Sequence, residues 1–543
     1  MSLLAIDNLS IALPKGADRE LAVKDVSFTL DKGEVLCIVG ESGSGKSMSA
    51  NALMGLLPEG VTPSAGSIQF ENRDLLTLSD DEMMSLRGKD ISMIFQEPLS
   101  ALNPLMRVGD QIAEVFEAHD LLTPTERRKR ALELLHEVGL PDPDTTIRAY
   151  PFQLSGGQRQ RVVIAMALAL EPKILIADEP TTALDVTTQA QILDLIEDLR
   201  KRHGMAVLFI THDFGVVADI ADRVIVMQHG EVVEAGEAET VLLNPTHAYT
   251  RALLDAIPGL SFRETMQPAN TPILSVRDLS MTFTSRTGGF FRKPRVVRAV
   301  QDASFDLYKG ETIGIVGESG SGKSTLGRCL VRLLNPEKGV VEIGGKDISK
   351  INGSALRQHR RRIQMVFQDP YSSLNPRSRI GTILTEGLIA YGTDKITARE
   401  KAQELLTLVG LDPSAMKRFP HEFSGGQRQR VGIARALALE PEVIIADEAV
   451  SALDVSIQAQ VLDLLADLRD RLNLSMIFIT HDLRVAAQVC DRIIVMQQGK
   501  MVEFGPSSQV LGSPQTEYTK SLLDAIPGKA HEQALAAQRE MRQ

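Results

Sequence analysis

Two glycine-rich segments carry the clearest chemistry in this 543-residue sequence. Both fit the spacing Gly-x4-Gly-Lys-Ser, at residues 40–47 and 317–324. Each follows a short apolar run and precedes a helical stretch, which is the setting in which this motif binds phosphate. Glycines let backbone N–H groups curve around phosphate oxygens, and the helix start adds a positive dipole. We therefore predict two nucleoside triphosphate sites, with Lys46 and Lys323 supplying the positive charge.

The alternative reading of these segments is a flexible Gly/Ser turn. Two copies in matched surroundings make that alternative weak. The last residues of the two loops, Ser47 and Ser324, offer hydroxyl oxygens to Mg²⁺. The candidate phosphate-binding residues are Gly40, Ser42, Gly43, Ser44, Gly45, Lys46 and Ser47 in the first loop, and Gly317, Ser319, Gly320, Ser321, Gly322, Lys323, Ser324 and Thr325 in the second.

Paired acids follow a buried apolar run in each half of the chain, at 178–179 and 447–448. Adjacent residues of a strand face opposite ways, so we expect Asp178 to face a metal while Glu179 faces the γ-phosphate. A carboxylate in the second position can hold or deprotonate the attacking water. Strand-end or helix-capping acids are the alternative. Together with the phosphate loops, the pattern favours Asp178 and Asp447 as metal ligands and Glu179 and Glu448 as catalytic bases.

One histidine follows another apolar run in each half, His212 after 207–211 and His481 after 476–480. Most single histidines are ordinary surface or core residues. The repeated Thr-His-Asp after a predicted buried strand instead favours a group that contacts the γ-phosphate.

A long internal repeat organises the chain. SGGQRQRV occurs at 155–162 and 424–431, and ITHD at 210–213 and 479–482; both pairs are offset by 269 residues. This period is that of a whole domain and is far too long for a solenoid. We predict a first domain at 4–258, a linker at 259–271, a second domain at 272–527 and a tail at 528–543.

Short apolar runs alternate with longer helical patterns in both copies. Runs of four to six apolar residues bounded by Gly, Pro or charge suit parallel strands that are covered on both faces. The pattern indicates an α/β fold. Strands are predicted at 34–39, 173–177, 206–210, 312–316, 442–446 and 475–479, and helices at 188–202 and 457–472.

Composition excludes several functional classes. The net charge is −11, which does not fit a protein that binds nucleic acid through its phosphates. No apolar run approaches the ~18 residues of a membrane-spanning helix, and the N-terminus does not resemble a signal peptide, so we expect a cytosolic chain. Cys37, Cys329 and Cys490 lie far apart, have no zinc-site spacing, and are expected to be buried thiols.

Two basic segments remain. Residues 290–295 could touch anionic lipid, although a solvated hairpin is favoured. Residues 357–362 could suggest nucleic acid, although a local charged face is favoured.

The repeated Ser-Gly-Gly-Gln, together with the loops, acids and histidines above, resembles the ATP-binding cassette (ABC) ATPases. The resemblance implies two tandem P-loop NTPase cassettes, each with a RecA-like core, an antiparallel β subdomain and a helical signature subdomain. It also implies ATP and Mg²⁺ as ligands, Gln96 and Gln368 as further Mg²⁺ contacts, and Asp185 and Asp454 as D-loop residues. The signature residues carried over are Ser155, Gly157, Gln158, Ser424, Gly426 and Gln427.

In the family two cassettes face each other head to tail, so each signature serine would close the other cassette's site. This chain departs from the family in two places. Phe283 fits the aromatic residue that stacks on adenine, whereas Leu13 takes that position in the first half. Residues 449–450 are Ala-Val where the first half has Pro-Thr at 180–181. Since the other motif residues occur twice, we expect both sites to hydrolyse ATP.

A subfamily resemblance is also present, in the segments 97–104 and 369–376 and in 244–250 and 513–519. These resemble the ATPase subunits of bacterial dipeptide, oligopeptide and nickel importers, in the fused form of Yej-type and glutathione importers. The resemblance implies an intramolecular pseudo-dimer, one per transporter. It would lie on the cytoplasmic face of the inner membrane with two transmembrane permease subunits and, indirectly, a solute-binding protein. Peptide is the expected cargo, and nickel or another small solute stays open.

The alternative function is that of a soluble tandem ABC protein acting on ribosomes or DNA. Ribosome-acting relatives join their halves by a long charged helix, whereas the predicted linker here is short and contains Pro268. DNA-repair relatives carry zinc cysteines or coiled-coil insertions, which this sequence lacks. We therefore expect no nucleic-acid partner.

Overall fold

The computed structural model describes residues 2–182, 184–260, 262–263, 271–285, 295–369, 373–450, 453–529 and 531. The chain divides into two compact units. The first comprises Met1–Leu184, Thr188–Ile257 and Ile526–Gln543, and the second comprises Asp185–Thr187 and Pro258–Ala525. Because these units combine separate segments of the chain, they do not test the domain limits given above, which stay a prediction. The basic segment 290–294 and nearly all of the predicted tail lie outside the described residues.

A six-stranded sheet forms the centre of the first unit, in the order β10-β9-β3-β8-β7-β6. Its strands are parallel except for the edge pair β9–β10. Alternate residues of the central strand enter different core clusters, Val35, Cys37 and Val39 on one face and Leu36 and Ile38 on the other. Both faces are covered, which explains the uninterrupted apolar runs and confirms the predicted strands.

A four-stranded antiparallel sheet, in the order β2-β1-β4-β5, covers one face of this large sheet. Leu4, Ile6, Leu9 and Ile11 of its β1 are buried in the same cluster as Ile38 of β3. The strands of the first unit are β1 Leu4–Ala12, β2 Leu21–Leu30, β3 Val35–Val39, β4 Thr62–Phe70, β5 Arg73–Asp74, β6 Ile91–Ile94, β7 Ile174–Asp178, β8 Ala206–Thr211, β9 Arg223–Gln228 and β10 Glu231–Glu237.

Helices cover the other face and form a subdomain before the signature motif. Phe116, Leu135 and Val163 from three of these helices are buried in one cluster with the β3 residues that face them. The α-helices of the first unit are α1 Lys46–Leu53, α2 Asp80–Leu86, α3 Pro98–Ala101, α4 Val108–Ala118, α5 Pro124–Glu137, α6 Pro143–Thr146, α7 Gly156–Ala167, α8 Val186–His203, α9 Phe214–Ile220, α10 Ala238–Leu243 and α11 Ala248–Asp255.

The second unit repeats this architecture with sheets β12-β11-β14-β15 and β16-β17-β18-β13-β19-β20. Its strands are β11 Pro272–Ser285, β12 Arg295–Tyr308, β13 Thr312–Val316, β14 Lys338–Ile343, β15 Lys346–Asp347, β16 Ile363–Val366, β17 Val443–Asp447, β18 Ser475–Ile479, β19 Arg492–Gln497 and β20 Lys500–Pro506. Its described α-helices are α12 Lys323–Leu330, α13 Gly353–Arg362, α14 Ile380–Ala390, α15 Lys395–Leu408, α16 Gly425–Leu437, α17 Val455–Leu472, α18 Leu483–Val489, α19 Ser507–Gly512 and α20 Glu517–Asp524.

Three smaller expectations can be compared with the fold. Cys37, Cys329 and Cys490 are free and buried, as predicted. The basic run before β16 serves local structure: Arg360 donates to the Val331 carbonyl. Within the described ranges, we find no helix whose length and apolar content would let it span a membrane.

Candidate active sites

Each phosphate loop joins a central strand to a helix, and its glycines are required by the backbone. Gly40 has φ +149°, and a Cβ there would lie 2.2 Å from the Met227 carbonyl oxygen. Gly45 has φ +104° and caps the helix that follows. Gly317 and Gly322 repeat these conformations in the second unit. A side chain at these positions would clash or be strained, which is why the spacing of glycines is fixed.

The lysine of each phosphate loop is buried and donates hydrogen bonds to backbone carbonyls of the same loop. The Lys46 ammonium donates to the carbonyl oxygens of Gly40 and Glu41, at 2.6 and 2.9 Å. Lys323 does the same in the second loop, at 2.7 and 2.8 Å from its two acceptors. Burial lowers the pKa of Lys323, against the opposing effect of nearby carboxylates that include Glu448. The loop thus holds a cation where a bound phosphate would need it.

The serine after each lysine contacts the first acid of the pair. Ser47 Oγ donates to Asp178 Oδ1 at 3.0 Å, and Ser324 Oγ donates to Asp447 Oδ1 at 2.7 Å. Burial raises the pKa of both aspartates.

These groups fit a magnesium ion. Asp447 Oδ2 is buried and has no hydrogen-bond partner within the described residues. A buried carboxylate oxygen without a partner is costly, and a bound cation would satisfy it. Carboxylate and hydroxyl oxygens are also the ligands that Mg²⁺ prefers.

Gln96 and Gln368 lie beside the second acid of each pair. Gln96 Nε2 donates to Glu179 Oε2 at 3.0 Å, and Gln368 Nε2 donates to Glu448 Oε2 at 2.6 Å. Since the amide N–H group of each glutamine faces the glutamate, its carbonyl oxygen is the atom that a metal would use.

Glu179 lies among hydrogen-bond donors. Its Oε2 is 3.3 Å from His212 Nδ1 and accepts from Thr182 Oγ1 at 2.9 Å. Burial by itself would raise the pKa of Glu179. The contact with His212, the hydroxyl of Thr182 and the charge of Lys46 outweigh burial and lower the pKa to about 2. The carboxylate is therefore ionised and oriented.

Glu448 repeats this arrangement. Its Oε2 is 3.6 Å from His481 Nδ1. Burial acts against ionisation, but His481 and Lys323 lower the pKa of Glu448 overall. The glutamate in turn raises the pKa of His481 in spite of burial.

The orientation of the two glutamates has a different cause from the one predicted. Strand alternation does not explain it, because β7 ends at Asp178 and β17 at Asp447. Glu179 and Glu448 come next, and both have φ +47°. Non-glycine residues rarely adopt this left-handed conformation, and strain of this kind is found at functional sites. A backbone turn, and not the pleat, directs each carboxylate toward its histidine.

Each signature serine lies at the start of a helix. Ser155 caps α7 with its hydroxyl, which accepts from the Gln158 N–H, while the Gln158 side chain accepts from the Ser155 N–H. Ser424 and Gln427 form the same capping box on α16. The glutamine is thus required for the shape of the helix start.

The second signature glycine permits close helix packing. A Cβ on Gly157 would lie 2.5 Å from Thr188 Cγ2, and one on Gly426 would lie 2.4 Å from Ile457 Cγ2. Each signature helix can therefore approach the following long helix only without a side chain there.

The predicted D-loop and adenine residues differ in exposure: Asp185 is buried, Asp454 and Leu13 are partly buried, and Phe283 is exposed. Within the second unit, Asp185 accepts a hydrogen bond from the Ser319 N–H at 3.1 Å. Asp454 directly precedes α17. Phe283 lies on β11 and is 41% exposed, and Leu13 lies just after β1.

Two tyrosines were missed as site residues. Tyr249 Oη accepts from the Glu41 N–H at 3.2 Å, and Tyr518 Oη accepts from the Glu318 N–H at 3.2 Å. Each tyrosine belongs to the C-terminal motif of its cassette and supports the phosphate loop. Their matched positions in the repeat, in the segments 244–250 and 513–519, are the sequence signal that points to them. Thr182, whose hydroxyl donates to Glu179, was also not among the predicted site residues.

Comparison with known proteins identifies the family. The sequence family described as "ABC transporter" matches residues 23–182 and 300–451, which is more than half of the chain. The chain belongs to this family. It is a tandem ABC-type transporter ATPase with two nucleotide-binding cassettes. The family described as "Oligopeptide/dipeptide transporter, C-terminal region" matches residues 233–281 and 502–542.

Relatives resemble the whole chain. It is 48% identical over 528 residues to the peptidoglycan transport ATP-binding protein YejF of Agrobacterium fabrum, covering 96% of each chain. It is 47% identical over 558 residues to the glutathione import ATP-binding protein GsiA of Escherichia coli, covering 97% of this chain and 90% of the relative. Among solved structures, the dimeric ABC cassette MJ0796 bound to ADP and Pi is 34% identical, with a TM-score of 0.39; the match covers 43% of this chain and 98% of that one.

Proposed function

We propose that this chain is the ATP-hydrolysing subunit of an importer for peptides or peptide-like solutes in the bacterial inner membrane. The observation that carries the proposal is the match to YejF along 96% of both chains. The relatives' names give peptidoglycan and glutathione as cargo. Both are peptide-containing molecules, so we favour a short peptide over nickel.

Hydrolysis at the first site would use the groups around Glu179. Its ionised carboxylate accepts the proton of the attacking water, while His212 keeps the carboxylate in place and faces the γ-phosphate. Lys46 neutralises charge on the β- and γ-phosphates. Glu448, His481 and Lys323 have the same roles at the second site.

Mg²⁺ would be held by Ser47, Asp178 and Gln96 at the first site, and by Ser324, Asp447 and Gln368 at the second. When bound, it would offset the negative charge of the phosphates. That the signature serines Ser155 and Ser424 each complete the other cassette's site stays a prediction.

Two permease subunits would receive the mechanical output, and a solute-binding protein would act indirectly. A groove of about 350 Å³ in the second unit is a candidate dock for a permease helix. It is lined by residues that include Ile383, Arg435 and Phe367, the residue before Gln368. We place the chain on the cytoplasmic face of the membrane as a peripheral subunit, one per transporter.

Reconstitution tests this function. The chain is co-expressed with the membrane proteins encoded beside it, and the purified complex is placed in liposomes with a candidate solute-binding protein. We expect co-purification, and ATP hydrolysis stimulated by short peptides but not by nickel. Recovery of ribosomal RNA or DNA, without membrane subunits, would contradict the proposal and support the soluble alternative.

A further inference from the structure

The two cassettes differ at the β-hairpin that precedes each phosphate loop. In the first hairpin, the Leu13 N–H donates to the Glu20 carbonyl at 2.9 Å. In the second, Phe283 pairs with Val297 across the sheet. The register therefore matches Leu13 with Phe283 and Glu20 with Val297, so the first cassette has an aliphatic residue where the second has a ring.

At the position before Glu20 and Val297 the difference is reversed, because there the first cassette has the planar side chain and the second has the aliphatic one. Arg19 precedes Glu20, and Val296 precedes Val297. Val296 is an exposed aliphatic side chain, 56% accessible. Among these matched positions the planar side chain lies on opposite strands, Arg19 in the first cassette and Phe283 in the second.

Arg19 is held against the phosphate loop. Its Nη2 donates to the Gly43 carbonyl at 2.6 Å. Gly43 belongs to the first phosphate loop, residues 40–47, which also contains Lys46. The contact holds one edge of the guanidinium against the phosphate loop of the first cassette.

A guanidinium is suited to replace an aromatic ring at such a place. It is planar, delocalised and weakly hydrated, so it stacks on aromatic faces, and a nucleotide base is such a face. Lysine carries the same charge but has no plane. Stacking and simple charge attraction can therefore be separated by one substitution.

We propose that Arg19 is a nucleotide-binding residue of the first cassette and that its guanidinium stacks on the purine base, in place of the ring that Phe283 supplies in the second. The inference rests on the proposed nucleotide sites at Lys46 and Lys323. It explains how the first cassette retains base binding although Leu13 occupies the aromatic position.

The test uses the full chain carrying Lys323→Ala, so that binding reports the first site. Calorimetry measures the Kd for Mg-ATP and for tripolyphosphate, which shares the phosphates but has no base. Adding Arg19→Lys is expected to raise the Kd for ATP about three- to tenfold and to change that for tripolyphosphate by less than about twofold. Adding Leu13→Phe to Arg19→Lys should restore ATP affinity to within about twofold of the parent, since a ring then replaces the lost plane.

Three results would overturn the inference: an unchanged Kd for ATP in Arg19→Lys, an equal loss for tripolyphosphate, or no restoration by Leu13→Phe. The restoring variant also separates stacking from misfolding, because a misfolded hairpin would not regain affinity. A different result would refute the proposed sites themselves, namely ATP binding that persists in Lys46→Ala with Lys323→Ala.

Discussion

The catalytic ends of the two cassettes are close copies, although the residues beside their glutamates differ. Glu179 is followed by Pro-Thr and Glu448 by Ala-Val. Both glutamates nevertheless have φ +47°, and the N–H of each donates to the carbonyl of the β-strand next to its own, at 2.9 Å. The turn is therefore held by the backbone of the sheet, and the following pair of side chains is free to vary.

The hairpins that we propose to bind the base differ far more. The first hairpin has Leu13 on one strand and Arg19 on the other, whereas the second has Phe283 and Val296 at the matching positions. This contrast indicates that side chains placed to contact the reacting atoms must be the same in type and position in both cassettes. A stacking platform needs only a flat face of suitable size, so it can come from either strand.

The largest expected effect tests whether both catalytic ends are active. We expect Glu179→Gln and Glu448→Gln each to slow hydrolysis at its own site by about 10²–10⁴-fold, because an amide cannot accept the proton of water. Total turnover should fall by about half or more in each single variant and nearly vanish in the double variant. Phosphate release measures turnover, and ATP binding serves as the control. Full turnover in either single variant would show that the cassettes are unequal.

An intermediate effect tests whether the signature helices pack alike. Ala at Gly157 or Gly426 should reduce the free energy of unfolding by about 1–3 kcal/mol, because the added methyl overlaps the side chain of the next helix. Ala at Gly156 or Gly425 provides matched controls, since a Cβ there meets its nearest atom at 3.7 or 3.6 Å. Calorimetric unfolding of the full chain should show no loss for the controls. Equal stability of Gly157→Ala and Gly156→Ala would refute this packing argument.

The smallest effect tests the tyrosines that support the phosphate loops. Phe at Tyr249 or Tyr518 should weaken ATP binding at its own site about two- to tenfold, since one hydrogen bond to the loop is lost. Burial raises the pKa of Tyr518 to about 12, so its hydroxyl stays protonated over the usual pH range. Tyr391→Phe is the control, because the hydroxyl of Tyr391 donates to the Arg357 carbonyl in another part of the second unit. Unchanged ATP affinity in both variants would mean that the loops hold their shape without these tyrosines.

Much of the fold could be read from local patterns. The predicted strand at 206–210 is observed as Ala206–Thr211, and the helix predicted at 188–202 runs from Val186 to His203. The strand prediction is confirmed because both faces of the sheet are covered, so strand residues are apolar without interruption. The helix starts at Ser155 and Ser424 were equally readable, since a capping box lies within four residues of sequence.

Local patterns failed where a contact joins distant residues. Tyr249 is 208 positions from Glu41, whose N–H it accepts. The link between Arg19 and Gly43 requires the hairpin to reach the phosphate loop, and no spacing rule describes that approach. The left-handed turn at Glu179 was missed because non-glycine residues adopt it only when surrounding structure enforces it.

The sequence by itself determined the duplicated architecture, the phosphate loops and the positions of the paired acids, because each is encoded within a few neighbouring residues. Only the tertiary structure decided how those acids are turned, which tyrosines contact the loops and that Arg19 reaches the phosphate loop. Those features depend on the register and packing of segments far apart in the chain, where the energy of a contact is set by geometry that local sequence does not contain.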